Sequence, residues 1–369
     1  MRADSMNHSK IGQNKPPANG NIRERRKHPV RNRLLSLGGV AAGAVMSVTG
    51  AGVAVTDSVP PPPDKPVVRV FDPSIVWTDN PQVTASRQAD NLELKQECMN
   101  SKFLTIDFSG TGMETSHYSA GLKNASIKKL GGCSLYLWYG QKHDNDANVE
   151  AIETAVEELT PPGQSKKVIF RAASFGGIAA EAAAAHPTIK DSKVIDLAGI
   201  IMEDSPHDME DVEYSILGVP FREIAKYINF AELPYFVEHN HLGVVTAAVK
   251  GQNDMGKIGN QTEWGYTWNN IKKTWPPLMW SELAGIDRGM VDYNPAVPVV
   301  YMQSNIDDTV NGTQAIAKIQ QAIPKLRVVH LAYEGLAMKH APSWLSEAQP
   351  YSSSSYEEET KALLDGTVR

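Results

Sequence analysis

Short apolar runs recur along the chain and are separated by polar, Gly-rich and Pro-rich stretches. Runs of this kind, too short for helices and without polar alternation, predict strands buried on both faces. A helix-forming segment lies between several of them, for example residues 147–159, which stop before Pro161 and Pro162. The predicted strands are Val67–Phe71, Ile75–Trp77, Phe103–Phe108, Ser134–Tyr139, Val168–Phe170, Val194–Met202, Val297–Met302 and Arg327–Tyr333.

The sharpest change of pattern occurs within Lys166–Pro187, at Ser174. The apolar strand before this serine gives way to an Ala-rich run, which favours a helix, and Pro187 ends that run. A strand that turns into a helix so abruptly needs small residues at Ala172 and Gly176. Such a turn exposes the side chain at its apex beside the amides of the helix start, as a nucleophile with an anionic intermediate requires. The alternative is an ordinary serine at a helix N-cap.

The segment Ala172–Gly176 resembles the G-x-S-x-G nucleophile elbow of the α/β-hydrolase family, with Ala172 in place of the first glycine. The resemblance covers about residues 67–350. It implies an α/β-hydrolase fold, in which helices flank a mostly parallel sheet and a helical lid follows the sixth strand. It also implies that Ser174 is the nucleophile and that the amide of Phe175 is one oxyanion donor.

A Gly-bearing loop, residues 109–112, directly follows the strand Phe103–Phe108. Loops at the ends of parallel strands can direct amide groups into a site. In the family, the loop at this place supplies the second oxyanion donor, so the resemblance implies that Thr111 and Gly112 contribute it. The alternative is a plain turn.

The loop after the strand Val297–Met302 offers the acid of a catalytic triad. The family often has G-x-x-D-x-x-V here, and Ser304, Asp307 and Val310 match that register with serine in place of glycine. This register selects Asp307. Asp308 is the alternative one position later.

Two further candidate acids, Glu203 and Asp204, follow the sixth strand, where a minority of the family places the acid. A solvent-exposed loop carboxylate without a catalytic role remains the alternative for each candidate.

His340 follows the last predicted strand, where the family places its base. The order Ser174, Asp307, His340 is the order of the α/β-hydrolase triad. The resemblance therefore implies a serine hydrolase that cleaves a small-molecule or lipid-like ester or amide through an acyl-enzyme. Acyl transfer by the same triad, and an inactive hydrolase-fold protein that binds at the cell surface, remain open.

An insertion of about residues 207–296 separates the sixth predicted strand, Val194–Met202, from the next one, Val297–Met302. This insertion is too long for an ordinary loop, and the resemblance implies a lid. It contains four of the seven tryptophans, which would line an apolar pocket or form the core of the lid itself: Trp264, Trp268, Trp275 and Trp280. No zinc motif such as H-E-x-x-H and no dinucleotide fingerprint occurs, so we expect neither a cofactor nor a metal.

The charge distribution divides the chain into regions. Residues 1–33 are basic and predicted to be disordered, whereas 34–56 carry no charge and are long enough to cross a bilayer. Residues 57–66 include four consecutive prolines and form a linker, and 351–369 form an acidic tail outside the hydrolase domain. We expect residues 34–56 to be a cleaved signal or a membrane anchor, with the body secreted or held outside. The net charge of −6 argues against nucleic acid as a partner.

Cys98 and Cys133 are the two cysteines of the chain, and each stands just before or at the start of a predicted strand. If those strands are neighbours, as the family order implies, the cysteines lie at the same edge of the sheet. Neighbouring strands are about 4.8 Å apart, within the Cα separation that a disulfide tolerates. The alternatives are a disulfide, which an exported location permits, and two free thiols.

Overall fold

The computed structural model describes residues 64–70, 92–111, 126–213, 215–216, 219–220, 276–290, 292–334, 340 and 349–368. The strands are β1 Val67–Val70, β2 Phe103–Phe108, β3 Gly132–Trp138, β4 Lys166–Ala173, β5 Ile195–Glu203, β6 Ser215–Ile216, β7 Val219–Pro220, β8 Val299–Ser304 and β9 Arg327–Leu331. The helices are α1 Leu92–Asn100, α2 Asn145–Glu158, α3 Phe175–Ala185, α4 Pro187–Lys190, α5 Pro276–Arg288, α6 Gly312–Ala322 and α7 Gln349–Leu364, with a 3-10 helix at Met209–Asp211.

Seven strands form the central sheet in the order β1-β3-β2-β4-β5-β8-β9. β1 pairs antiparallel with β3, and every other pair in this sheet is parallel. The carboxyl ends of the parallel strands therefore meet at one edge. In open α/β sheets this edge is where ligands bind.

Helices cover both faces of the sheet. α2, α3, α5 and α6 contribute to the larger apolar core on one face, and α7 contributes to a second core on the other. α3 lies directly on the sheet because its alanines are short: Ala179, Ala180, Ala183 and Ala184 are almost wholly buried. A helix without bulky side chains can approach its neighbours closely, which fixes the start of α3 relative to β4.

The C-terminal residues belong to the folded domain, contrary to the expectation of an acidic tail outside it. α7 begins at Gln349, and Tyr356, Leu363 and Val368 are buried against the sheet. The glutamates of α7 led to the prediction of an exposed tail. One of them, Glu359, is itself buried and accepts a hydrogen bond from Arg327 at 2.7 Å.

Most of the predicted lid, about residues 207–296, lies outside the described residues. Its described parts are the 3-10 helix, the β6–β7 hairpin and α5, and Trp264, Trp268 and Trp275 are not among them. The predicted leader and membrane segment, residues 1–33 and 34–56, also lie outside the described residues, as do 57–63 of the linker predicted at 57–66 and the predicted strand Ile75–Trp77. Among the helices that the structure describes, none has the length and apolar character needed to cross a bilayer.

The cysteines meet at the amino-terminal edge of the sheet, opposite the carboxyl ends. Cys98 lies in α1 and Cys133 in β3, with 5.2 Å between their Cα atoms, and the structure joins them in a disulfide. Cys98 therefore lies in a helix that precedes β2, and Cys133 is the second residue of β3.

Candidate active site

Ser174 forms the apex of the turn between β4 and α3. Its φ of 54° and ψ of −130° lie in a sparsely populated backbone region, which costs on the order of 1–3 kcal/mol and persists only where the surroundings hold it. Its amide donates to the carbonyl of Glu203 at 2.9 Å, and its carbonyl accepts from the amide of Gly177 at 3.0 Å. The side chain is partly exposed and makes no capping hydrogen bond to the helix.

Two glycines make this turn possible. A Cβ on Gly176 would overlap the carbonyl oxygens of Phe108 and Ser109, and a Cβ on Gly177 would overlap the side chain of Ser205. The start of α3 thus packs directly on the backbone at the end of β2. Ala172, the departure from the family pattern, is buried in the core, so its methyl group is accommodated there.

The predicted oxyanion donors lie on both sides of this contact. Phe175 is the first residue of α3, and amides in the first turn of a helix have no intrahelical acceptor. Thr111 lies two residues after Ser109, whose carbonyl oxygen Gly176 approaches. Gly112 lies outside the described residues.

Asp307 and His340 are brought into hydrogen-bonding contact. His340 Nδ1 lies 3.1 Å from Asp307 Oδ1 and 3.2 Å from Oδ2. The Asp307 side chain is 4% exposed and accepts from the amides of Thr309 and Val310 at 2.8 and 3.2 Å. Because a carboxylate can only accept, the proton resides on Nδ1 and leaves Nε2 as the basic nitrogen. Nε2 is buried and has no hydrogen-bond partner among the residues that the structure describes.

Two of the alternative acids make no such contact with His340 among the described residues. Asp308 is exposed. Glu203 is fully buried, and its carboxylate accepts from the hydroxyls of Tyr356 at 2.8 Å and Tyr333 at 3.3 Å, on the α7 side of the sheet. Asp307 remains the predicted acid.

Asp204 lies beside the Asp307–His340 pair. One of its carboxylate oxygens is within 4.8 Å of a ligand atom of each, and its Oδ1 accepts from the amide of Ser304 at 2.8 Å. It is fully buried and adopts a φ of 46°. Since the carbonyl of the preceding residue, Glu203, accepts from the Ser174 amide, these contacts place the serine near the pair.

Burial raises the pKa of the neighbouring Tyr301, and the negative charges of Asp204, Asp307 and Asp211 raise it further. The negative electrostatic potential of these three carboxylates therefore extends over the part of the site around Tyr301. A positive charge that develops here is stabilised by the same field.

A second acidic cluster ties the loops after β5 and β8 together. Lys318 Nζ lies 2.7 Å from Asp208 Oδ1 and 2.9 Å from Asp211 Oδ1. The contact with Asp211 Oδ1 is an ion pair without the geometry of a hydrogen bond. The amide of Asn311 donates to the carbonyl of Asp211 at 2.8 Å. Lys318 pairs with both carboxylates, so the cluster fixes the base of the acid loop.

A buried ion pair joins the strands that lead to the two oxyanion arms. Arg171 Nε and Nη2 donate to Asp107 at 2.6 and 2.8 Å, and the two residues are in register on β4 and β2. This ion pair was not predicted from the sequence. It could have been, because each residue interrupts an otherwise apolar run and the two charges are opposite.

A second missed group surrounds Phe175. The ring of His143 lies edge-on to it at 4.8 Å and is stacked on Tyr139 at 5.3 Å. Burial, together with a smaller contribution from the positive charge of Arg288, lowers the pKa of His143 to about 4, so the imidazole is neutral. With ten histidines in the chain, no sequence pattern distinguished this one.

No protein-family model and no curated protein matches the chain. Among solved structures, it is similar to a carboxylesterase of Nitrososphaera gargenis, with 12% identity over 73% of this chain and 90% of that one and a TM-score of 0.44. It is also similar to a thermophilic esterase from Thermogutta terrifontis, with 13% identity over 72% of this chain and 91% of that one and a TM-score of 0.46. An esterase from Rhodococcus sp. shares 11% identity over 72% of this chain and 90% of that one, with a TM-score of 0.44.

The strand order and the strained serine between β4 and α3 agree with the expectation drawn from the sequence. The acid loop after β8 and the histidine after β9 complete the order Ser174, Asp307, His340. The chain therefore has the α/β-hydrolase fold.

Proposed function

We propose that the protein is a serine hydrolase that cleaves a small-molecule or lipid-like ester or amide through an acyl-enzyme. The observation that carries this proposal is the combination of a strained serine at a strand-to-helix apex with a partly buried Asp307–His340 pair at the same edge of the sheet.

In the proposed reaction, His340 Nε2 takes the proton of the Ser174 hydroxyl as its oxygen attacks the substrate carbonyl carbon. The carbonyl oxygen becomes an oxyanion, which the amides of Phe175 and the Thr111–Gly112 arm bind. His340 then gives the proton to the leaving alcohol or amine. Water, activated by the same histidine, attacks the acyl-enzyme and releases the acid and free Ser174.

Asp307 holds the base in the reactive tautomer. Its carboxylate accepts from Nδ1–H and stabilises the imidazolium, while two loop amides fix its own orientation. Acyl transfer to another hydroxyl would use the same groups, and the resolving nucleophile alone distinguishes it from hydrolysis.

Covalent labelling of Ser174 tests this proposal. We expect a fluorophosphonate to add once to the full-length protein and to abolish hydrolysis of p-nitrophenyl esters. The Ser174→Ala variant should neither react with the fluorophosphonate nor hydrolyse p-nitrophenyl esters. Ser192→Ala is a matched control, since Ser192 lies away from the elbow and its hydroxyl donates to Glu153 at 3.1 Å. An adduct that persists in Ser174→Ala contradicts the assignment, and a folded wild type that takes no label supports a binding protein.

We further propose that the hydrolase body is exported, either anchored through residues 34–56 or released by cleavage of that segment. The charge pattern of the first 56 residues supports export, and so does the Cys98–Cys133 disulfide, because disulfides persist in oxidising compartments. Protease added to intact cells should digest residues from about 67 onward. A body that is protected until the cells are lysed argues against export, and a mature N-terminus near Val55 indicates release.

A further inference from the structure

The rings of Tyr139, His143 and Phe175 form one buried cluster behind the elbow, here called the aromatic wedge. Phe175 and Tyr139 meet edge-on at 6.0 Å, and His143 contacts both rings. Phe175 is fully buried and Tyr139 is 2% exposed. The wedge therefore has little freedom to rearrange.

The wedge touches both predicted arms of the oxyanion hole. Phe175 carries the amide of the first arm, so the position of its ring constrains the position of that amide. The hydroxyl of Tyr139 donates to the carbonyl of Ser109 at 3.3 Å, at the start of the loop that forms the second arm. This is also the carbonyl beside Gly176.

Helix α5, the last described helix of the insertion, closes the wedge from the other side. Gly285 faces the Phe175 ring so closely that a Cβ there would lie 2.6 Å from Cε2. The backbone amide of His143 donates to Ser281 Oγ at 2.7 Å. Burial raises the pKa of Tyr139, and the nearby charge of Glu282, also on α5, raises it further, so Tyr139 keeps its proton.

His143 acts in this cluster through shape. Its Nδ1 lies 3.2 Å from Asn148 Nδ2, and the ring is neutral, so it can accept from that amide. A neutral ring between Tyr139 and Phe175 fills space without placing a charge beside the oxyanion site.

We propose that the aromatic wedge, clamped by Gly285 of α5, positions both oxyanion arms relative to each other. Tyr139 and Gly285 are then positioning residues, and they act through Ser109 and Phe175. This inference rests on the proposed serine hydrolase. A displacement of about 1 Å in such a site can lower the rate by on the order of 100-fold, and loss of one oxyanion donor lowers kcat by about 100- to 1,000-fold.

Two variants test the wedge, each with a matched control. Tyr139→Phe removes the hydroxyl and keeps the ring; Thr160→Val removes another buried hydroxyl, which donates to a carbonyl at 2.6 Å, away from the site. Gly285→Ala forces the Phe175 ring to move. Gly199→Ala also creates a clash in the core, against Leu363 and the carbonyl of Pro298.

We expect kcat for p-nitrophenyl esters to fall about 10- to 100-fold in Tyr139→Phe and Gly285→Ala, with KM changed less than about threefold. Inhibition by phenylboronic acid, which forms a tetrahedral adduct on the serine, should weaken by a similar factor. Hydrogen exchange should accelerate in segments 108–111 and 174–177. The two controls should show none of these effects at a comparable loss of Tm.

The outcomes separate the two proposals. If the wild type is active but both variants lose no more kcat than their controls, the wedge proposal is wrong and the proposed function stands. If the folded wild type is inactive, the proposed function is wrong and hydrogen exchange decides the wedge by itself: unchanged exchange in both segments overturns it.

Discussion

His340 Nδ1 lies almost equally far from the two carboxylate oxygens of Asp307, at 3.1 and 3.2 Å. The same Asp307 Oδ1 also accepts from two amides of its own loop. The orientation of the carboxylate is therefore set by the backbone, and the ring follows it. This relationship favours Asp307 among the four acids that the sequence offered.

We expect Asp307→Asn to lower kcat by on the order of 10⁴, as in another triad enzyme. The asparagine oxygen would still accept from the loop amides, so its NH₂ group would face Nδ1. The ring would then carry its proton on Nε2 and could not act as a base.

Asp308→Asn is the control, because Asp308 is exposed and changes charge by the same amount. We expect it to alter kcat less than about threefold, since an exposed charge is screened by solvent. Steady-state kinetics on both purified variants gives the comparison. A reversed order of the two effects contradicts the register.

Asp204 supplies a second negative charge next to the base. Asp204→Asn keeps an oxygen that can accept from Ser304 and removes the charge. A unit charge about 5 Å away at an effective dielectric of about 20 contributes about 3 kcal/mol, an upper value. We expect kcat/KM to fall about 10-fold, because the imidazolium that forms during the reaction loses stabilisation.

Two variants distinguish this electrostatic role from a structural one. If Asp204 only ties β5 to β8, Asp204→Asn leaves kcat/KM unchanged, and Asp204→Ala lowers the Tm. Steady-state kinetics and thermal unfolding of the two variants decide between these results.

The disulfide closes a loop with a sequence separation of 35 residues. Chain-entropy estimates give about 4 kcal/mol for a loop of this length. We expect the Cys98→Ser, Cys133→Ser double variant to lose about this much stability in urea, and reduction of the wild type to reproduce the loss. Because the cysteines lie at the edge opposite Ser174, kcat should change less than about twofold. Two freely alkylatable thiols in protein from its native compartment contradict the pairing.

Glu181 is fully buried in α3, and within the described part of the chain neither of its carboxylate oxygens has a hydrogen-bond partner. Burial raises its pKa from 4.5 to about 8. The folded state therefore binds this proton more tightly than the unfolded chain does. The resulting stabilisation is complete below about pH 4.5, declines as the pH rises and is lost above about pH 8.

We expect Glu181→Gln, which is always neutral, to match the wild type near pH 5 and to exceed it above pH 8 by on the order of a few kcal/mol. Urea unfolding between pH 5 and 9 measures the difference. Glu150→Gln on the exposed face of α2 is the control and should leave the pH dependence unchanged. A constant difference between Glu181→Gln and the wild type across this range contradicts the buried ionisation.

The sequence by itself determined the local elements. The seven strands of the sheet appear where short apolar runs predicted them, with ends shifted by a few residues, because a buried parallel strand needs a continuous apolar run. The elbow was also visible, since a tight strand-to-helix turn requires small residues on either side of Ser174. The chain order of Ser174, Asp307 and His340 is a property of sequence alone.

Tertiary structure decided which side chains meet. Asp307 and Asp308 differ by one position, and only the loop geometry turns the first toward His340. α7 reads as an acidic tail because its apolar residues are few, and the sheet surface that buries them is built from distant strands.

The aromatic wedge was equally hidden. Tyr139, His143 and Gly285 converge on Phe175 because α5 returns to the start of α3. Hydrophobic period and turn chemistry act over a few residues, whereas contacts between distant residues depend on strand order and helix packing. Those are set by the burial of the whole core.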